Sequence, residues 1–236
     1  MKGVYAEAAE KRIAKDQFRR FKRYLDVQND LLATRKSLVR ALSYEEGYER
    51  FRRIVKHAEN LWDDACLLFL EHRYTTGLAI SITCLEEIGK IGVARFELVI
   101  DEVKRQQGTL PPDRRDGTRG KHPFYSHRQK LLLAAGAGAL VNARLDRILG
   151  LPQVVDFLDR IERDEIERLR QACLYVDTLN GDLSVPGECV GRADAEFHVI
   201  LAGELLAEVA GFEPPEWRRL LARVKNFERS IGHPDE

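Results

Sequence analysis

No apolar run in this 236-residue chain approaches the ~20 residues that a membrane-crossing helix needs. The opening MKGVYAEAAEKRIAK lacks the apolar stretch of a signal peptide, so a cytoplasmic protein without a membrane partner is expected. Charge of one sign is lacking as well. The 38 Lys and Arg balance 38 Asp and Glu, leaving no global pull toward nucleic acid or membrane, although local patches can still act. Cysteine is sparse, and Cys66, Cys84, Cys173 and Cys189 form no CxxC pair. Three of them lie in apolar helical surroundings, which predicts free buried thiols rather than disulfides or zinc ligands. The chain has no P-loop, no GxGxxG and no HExxH. None of its six histidines follows a Glu by three residues, which excludes the Glu-x-x-His ligand pattern of di-iron bundles. No cofactor and no metal site is expected. There is no convincing alternating strand pattern and no internal repeat.

What is present is helical periodicity, on a composition that suits a folded chain: 44% hydrophobic and 32% charged. Phe18, Leu25, Leu32 and Val39 recur every seven residues between Tyr5 and Leu42. Phe21 and Leu42 fit a companion seam that Gln28 and Arg35 interrupt, so this is one long helix or two meeting near Gln28. Ser43-Tyr44-Glu45-Glu46 is a capping box that opens a helix to about Glu71. Another runs from Tyr74 to about Val103. QQGTLPPDRRDGTRGKHP, from Gln106 to Pro123, is the one long irregular segment. Ser126-His127-Arg128-Gln129 is a second capping box, opening a helix through Leu149. Helical stretches follow at Pro152–Arg160 and Arg163–Thr178, continuous or not, then a loop over Asn180–Gly191 and a helix to Ala210. The last helix begins at Pro214-Pro215 and carries Trp217, Leu221, Val224 and Ile231 on one face. Trp62 and Trp217 are expected in the core. The pattern predicts an all-α protein: an N-terminal helical extension (1–42), a helical bundle (43–211) and a C-terminal helix packed on it (212–236).

One stretch, ITCLEEIGKIGV, places two carboxylates and an ammonium in an otherwise apolar helix. An unpaired charge in an apolar interior costs several kcal/mol, so these groups must face water, pair, or serve a site. At 100° per residue Thr83, Glu86, Glu87, Lys90 and Glu97 share one stripe. Glu86 and Lys90 have the favourable order for an i, i+4 pair. The stripe is either a solvated edge or a polar pocket lined by Glu86, Glu87 and Lys90.

The helix starting at His127 bears on that choice. Its first-turn amides attract phosphate, and His127, Arg128 and Lys130 stand there with Lys121 and His122 just upstream. The helix dipole favours a neutral His127 able to act as a base near pH 7. The competing reading is a surface capping turn with incidental basic residues.

Leu61-Trp62-Asp63-Asp64-Ala65, Leu78-Ala79-Ile80, Glu86-Glu87-Ile88-Gly89-Lys90, His127-Arg128-Gln129-Lys130 and Leu174-Tyr175-Val176-Asp177 together resemble the AbiV-type abortive-infection proteins of the HEPN superfamily. The resemblance covers about Glu59 to Asp177. It implies a HEPN-like helical bundle that often dimerises, and an antiviral role in shutting down infected cells. It also implies that Glu86, Glu87, Lys90, His127, Lys130 and Tyr175 form the site, with Arg170 pairing with the glutamates by analogy. HEPN ribonucleases carry Arg, four to six residues, then His, near the start of a late helix. Here Arg52 to His57 has that spacing in an early helix, and Arg115 to His122 has it within the irregular segment, both spacings that arise easily by chance.

Two functions follow from the resemblance. One is a phage-defence ribonuclease or toxin acting on RNA or translation without metal. For it, His127, Lys130, Glu86, Glu87 and Lys90 are the catalytic candidates, and Arg128, Lys121, His122, Arg170 and Tyr175 the substrate- or phosphate-binding ones. The other is a non-catalytic bundle that binds a nucleotide or a phage or toxin-antitoxin protein partner. The basic run KRIAKDQFRRFKR interleaves Phe18, Phe21 and Tyr24 and could meet RNA, but its aromatics match the heptad seam, so packing explains them better. That seam needs a partner surface, which makes a homodimer the expected state.

Overall fold

The computed structural model describes residues 43–108, 125–141, 151–179, 182–210 and 214–232, with scattered positions between 15 and 29. Its helices are α1 (Tyr44–Leu70), α2 (Tyr74–Gln106), α3 (His127–Val141), α4 (Leu151–Glu162), α5 (Glu165–Leu174), α6 (Pro186–Cys189), α7 (Arg192–Ala210) and α8 (Pro214–Ser230). Strands β1 (Asp177–Leu179) and β2 (Asp182–Ser184) lie between α5 and α6. Among the described residues no helix is long and apolar enough to cross a membrane.

Local chemistry starts α1. Ser43 Oγ accepts from the Glu46 amide at 3.3 Å, and the Ser43 amide donates to Glu46 Oε2 at 3.1 Å. Both halves of the capping box are therefore made. Phe51, Val55, Ala58, Trp62, Ala65 and Phe69 then recur at alternating spacings of four and three, and all are buried. A turn with His72 at φ 58° reverses the chain into α2.

The 33-residue α2 is the centre of the bundle. It packs on α1, α3, α5 and α7, which is why Leu78, Ile82, Leu85, Ile88 and Ile91 are all buried although they point in several directions. α7, buried in the same way, lies against α1, α2, α3 and α8. Trp62 is core as expected, and its Nε1 donates to the Val199 carbonyl at 3.0 Å. The α8 helix is fixed by charge as well as packing: Arg219 reaches the buried Glu59 at 2.7 Å, and Arg223 bonds Asp63 and covers the Trp62 ring.

Two expectations are corrected, and one alternative left open is decided. Trp217 is not core but 37% exposed, and Leu220, Val224 and Phe227 carry the buried face of α8. The stretches Pro152–Arg160 and Arg163–Thr178, which the sequence left continuous or not, are separate, because Asp164 adopts φ 57° and divides α4 from α5. That left-handed conformation is one Asp tolerates. The segment from Asp177 is not all helix and loop; β1 and β2 pair antiparallel, Asp177 opposite Ser184 and Thr178 opposite Leu183. Of the N-terminal seam, Phe18 is exposed and Leu25 packs against the core of its own bundle. Cys66, Cys84 and Cys173 are free thiols, and burial pushes Cys66 and Cys84 well above the usual thiol range. The irregular segment, including Lys121, His122 and Arg115, lies outside the described residues, apart from its first positions.

Candidate functional site

The α2 and α3 backbones come into close contact at Gly89. A Cβ there would stand 2.0 Å from the Lys130 carbonyl oxygen, so no side chain fits and the two backbones meet directly. This contact brings the first turn of α3 over Glu86, one turn before Gly89. Ser126 caps α3, accepting from the Gln129 amide at 3.3 Å, and so sets where His127 and Lys130 emerge.

Glu86 is the hub. Its Oε2 accepts from Lys130 Nζ at 2.5 Å and its Oε1 from His127 Nδ1 at 2.7 Å. The Glu86 and Lys130 side chains are 5% and 8% exposed, whereas His127 is 49% exposed. A carboxylate only accepts, so Nδ1 donates, and in the neutral imidazole the lone pair lies on Nε2. The arrangement fixes the tautomer and leaves half of the ring open to solvent.

Arg170 of α5 joins the cluster, its Nε 3.8 Å from Glu86 Oε1, the oxygen that His127 also meets. It grips Glu167 through two bonds of 2.9 and 2.7 Å. Burial pushes the Glu167 carboxyl up, but bonds from Arg170 and Gln171 outweigh it and hold the group below its ordinary value. Glu167 also lies 3.9 Å from His127 Nδ1. Sequence reasoning missed Glu167; its place one turn before Arg170 was the available signal.

Glu87 and Lys90 behave differently. They pair with each other at 2.6 Å within α2, both partly buried. The expected Glu86–Lys90 pair is not formed, because Glu86 turns to α3. Glu87 instead lines an open cleft against α1, beside Arg50, Arg53 and His57. Arg52 is exposed and 3.8 Å from Glu49, so Arg52 and His57 are not partners of Glu86. Arg128 is exposed beside His127. Tyr175, just past α5, is exposed near Arg170.

Ligand atoms of Glu86, His127 and Glu167 lie within 4.8 Å of one another, close enough to hold a metal ion. Lys130 and Arg170 already supply positive charge to both carboxylates, so an incoming ion would have to displace them. The donor set suits an imidazole held by a neutralised carboxylate better than a cation.

The chain matches the family model HEPN_AbiV, described as AbiV, over residues 48–207. No curated protein and no solved structure matches it. The matched segment runs from the first turns of α1 into α7 and contains Glu86, His127, Lys130, Glu167, Arg170 and Tyr175. With more than half of the sequence covered, and an all-helical bundle around it, the chain belongs to the AbiV family of HEPN proteins, whose function is of the abortive-infection type.

Proposed function

We propose that the protein is a cytoplasmic phage-defence effector that cleaves RNA without a metal, with His127 as general base. The observation that carries this reading is the 2.7 Å bond from His127 Nδ1 to the buried Glu86, which leaves Nε2 as the basic atom of a half-exposed ring. In the reaction the ribose 2′-oxygen attacks the adjacent phosphorus, and its proton passes to Nε2. The P–O5′ bond breaks, and the leaving oxygen takes a proton from water, giving a 2′,3′-cyclic phosphate. Arg128 and Arg170 are the cations available to the developing charge. Lys130 and Glu86 act through His127 as positioning residues; Glu87 and Lys90 take no part.

The assay is cleavage of labelled RNA in the presence of a chelator. His127→Ala should lower the rate roughly 10²–10⁴-fold, the usual contribution of a positioned base. Cleavage that survives His127→Ala at full rate rejects the site. A second reading is favoured by the way the cluster neutralises itself, Lys130 on Glu86 and Arg170 on Glu167, as a structural core would. On that reading the bundle binds a nucleotide or a protein partner. No cleavage of any RNA, with phage defence retained, would select it.

A further inference from the structure

Large exposed apolar side chains gather where α5 meets the hairpin. Leu174, Tyr175 and Val176 lie on one side, Leu183 and Val185 on the other. The hairpin register places Leu183 opposite Thr178, with Val176 and Val185 just outside the paired residues on either strand. Tyr175 is 60% and Leu183 66% exposed. Large apolar side chains left exposed close together in the chain are candidates for binding.

The patch adjoins the Glu86 cluster. Tyr175 follows the last residue of α5 in extended backbone, φ −122° and ψ 144°. Tyr175 lies near enough to Arg170 for the two side chains to interact electrostatically. Arg170 in turn stands 3.8 Å from the carboxylate that holds His127. An aromatic ring with aliphatic neighbours, one guanidinium away from an imidazole, matches the parts of a nucleotide: a flat base beside an anionic phosphate.

We infer that Tyr175, with Val176 and Leu183, is a stacking shelf for an unpaired base of single-stranded RNA, next to the phosphate bound at Arg170 and His127. The inference rests on the RNA-cleaving reading of that site. A duplex does not fit, because its base faces are already stacked on one another. The shelf tolerates any sequence, since every base has a π-face. A second copy of the chain is the competing occupant, but the guanidinium and open imidazole at the rim suit an anionic aromatic ligand better than another apolar face.

The test is fluorescence anisotropy of the full chain with a labelled single-stranded oligonucleotide whose 2′-oxygens are methylated, so that it binds without being cut. Tyr175→Ala should weaken binding about 10-fold, while Tyr175→Phe, which keeps the ring, should bind as wild type. A matched duplex should be unaffected by either change. In cleavage assays Tyr175→Ala should raise KM and leave kcat nearly unchanged. Wild-type binding by Tyr175→Ala overturns the shelf, whatever His127 does. A dimer that becomes a monomer in Tyr175→Ala would assign the patch to a second copy and overturn it too. Tyr175-dependent binding without cleavage of any RNA would support the shelf while rejecting the nuclease.

Discussion

Replacing Lys130 with Met asks whether the Glu86 cluster is a buried electrostatic unit. The ammonium lies 2.5 Å from Glu86 Oε2, and both side chains are nearly inaccessible. At that separation, with an effective dielectric of ~20, the attraction is about 7 kcal/mol. Removing two charges from water offsets most of it, at several kcal/mol each. Met keeps the length and apolar stem of Lys but strands the carboxylate, leaving it His127 and, at 3.8 Å, Arg170. Losing one partner of a buried pair costs about 3–5 kcal/mol, and Arg170 compensates in part, so about 3 kcal/mol is expected. For a chain of this size that lowers Tm by roughly 6–12 °C. Urea unfolding at pH 7 with an unchanged m-value would measure it. Removing both charges, in Glu86→Gln with Lys130→Met, should recover at least half of the loss through their coupling. A loss below about 1 kcal/mol for Lys130→Met alone, the range of an exposed pair, would refute the buried unit.

Lys90→Met should be nearly neutral, within ~1 kcal/mol by the same unfolding assay, because among the described residues Lys90 pairs along its own helix and is partly exposed. Gly89→Ala gains roughly 0.5–1 kcal/mol of helix propensity but forces a methyl against the Lys130 carbonyl, an overpacking loss of about 1–3 kcal/mol. It should therefore melt lower than wild type, and a higher Tm would contradict the close crossing. Burial pushes His198 down to about 4, while its Nδ1 donates to the Asp194 carbonyl at 2.8 Å. The unfolded chain takes up that proton near pH 6.5, so the contribution is complete above 6.5 and is lost as pH falls toward 4, by at most ~3 kcal/mol. His198→Leu should flatten stability over that window, and an unchanged slope would exonerate the imidazole. Homodimerisation predicts twice the 27.0 kDa chain mass in light scattering at micromolar concentration, and the single-chain mass would remove it.

Much of the helical layout was legible because helices obey local rules. Ser43 with Glu46 announces a capping box whose two bonds depend only on neighbours three residues apart, and the box forms. The four-three spacing from Phe51 to Phe69 likewise names the buried face of α1 without reference to any other helix. The hairpin was missed although Asn180-Gly181, between Leu179 and Asp182, is the commonest two-residue hairpin signal; strands of three residues are too short for alternation to register. Trp217 misled because periodicity gives the apolar face of α8 but not how far along its length the core reaches, and the core begins one turn later, at Leu220.

The sequence by itself determined that charges sit on one stripe of α2 and that a capped basic turn begins α3. It could not tell Glu86 from Glu87. They are neighbours on the same stripe, alike in residue type, and the pairing rule along one helix put Lys90 on the wrong one of them. Only the tertiary structure separated them: Gly89 lets α3 close on α2 at one point, so Glu86 falls under Lys130 and His127, while Glu87 faces the cleft toward α1. Glu167 and Arg170 enter from α5, whose direction is set by the break at Asp164 and by its packing on α2. A helix fixes the angle of each side chain about its own axis, and so local rules suffice there. Which groups then meet depends on how several axes cross, a property of the packed core that no window of one helix contains.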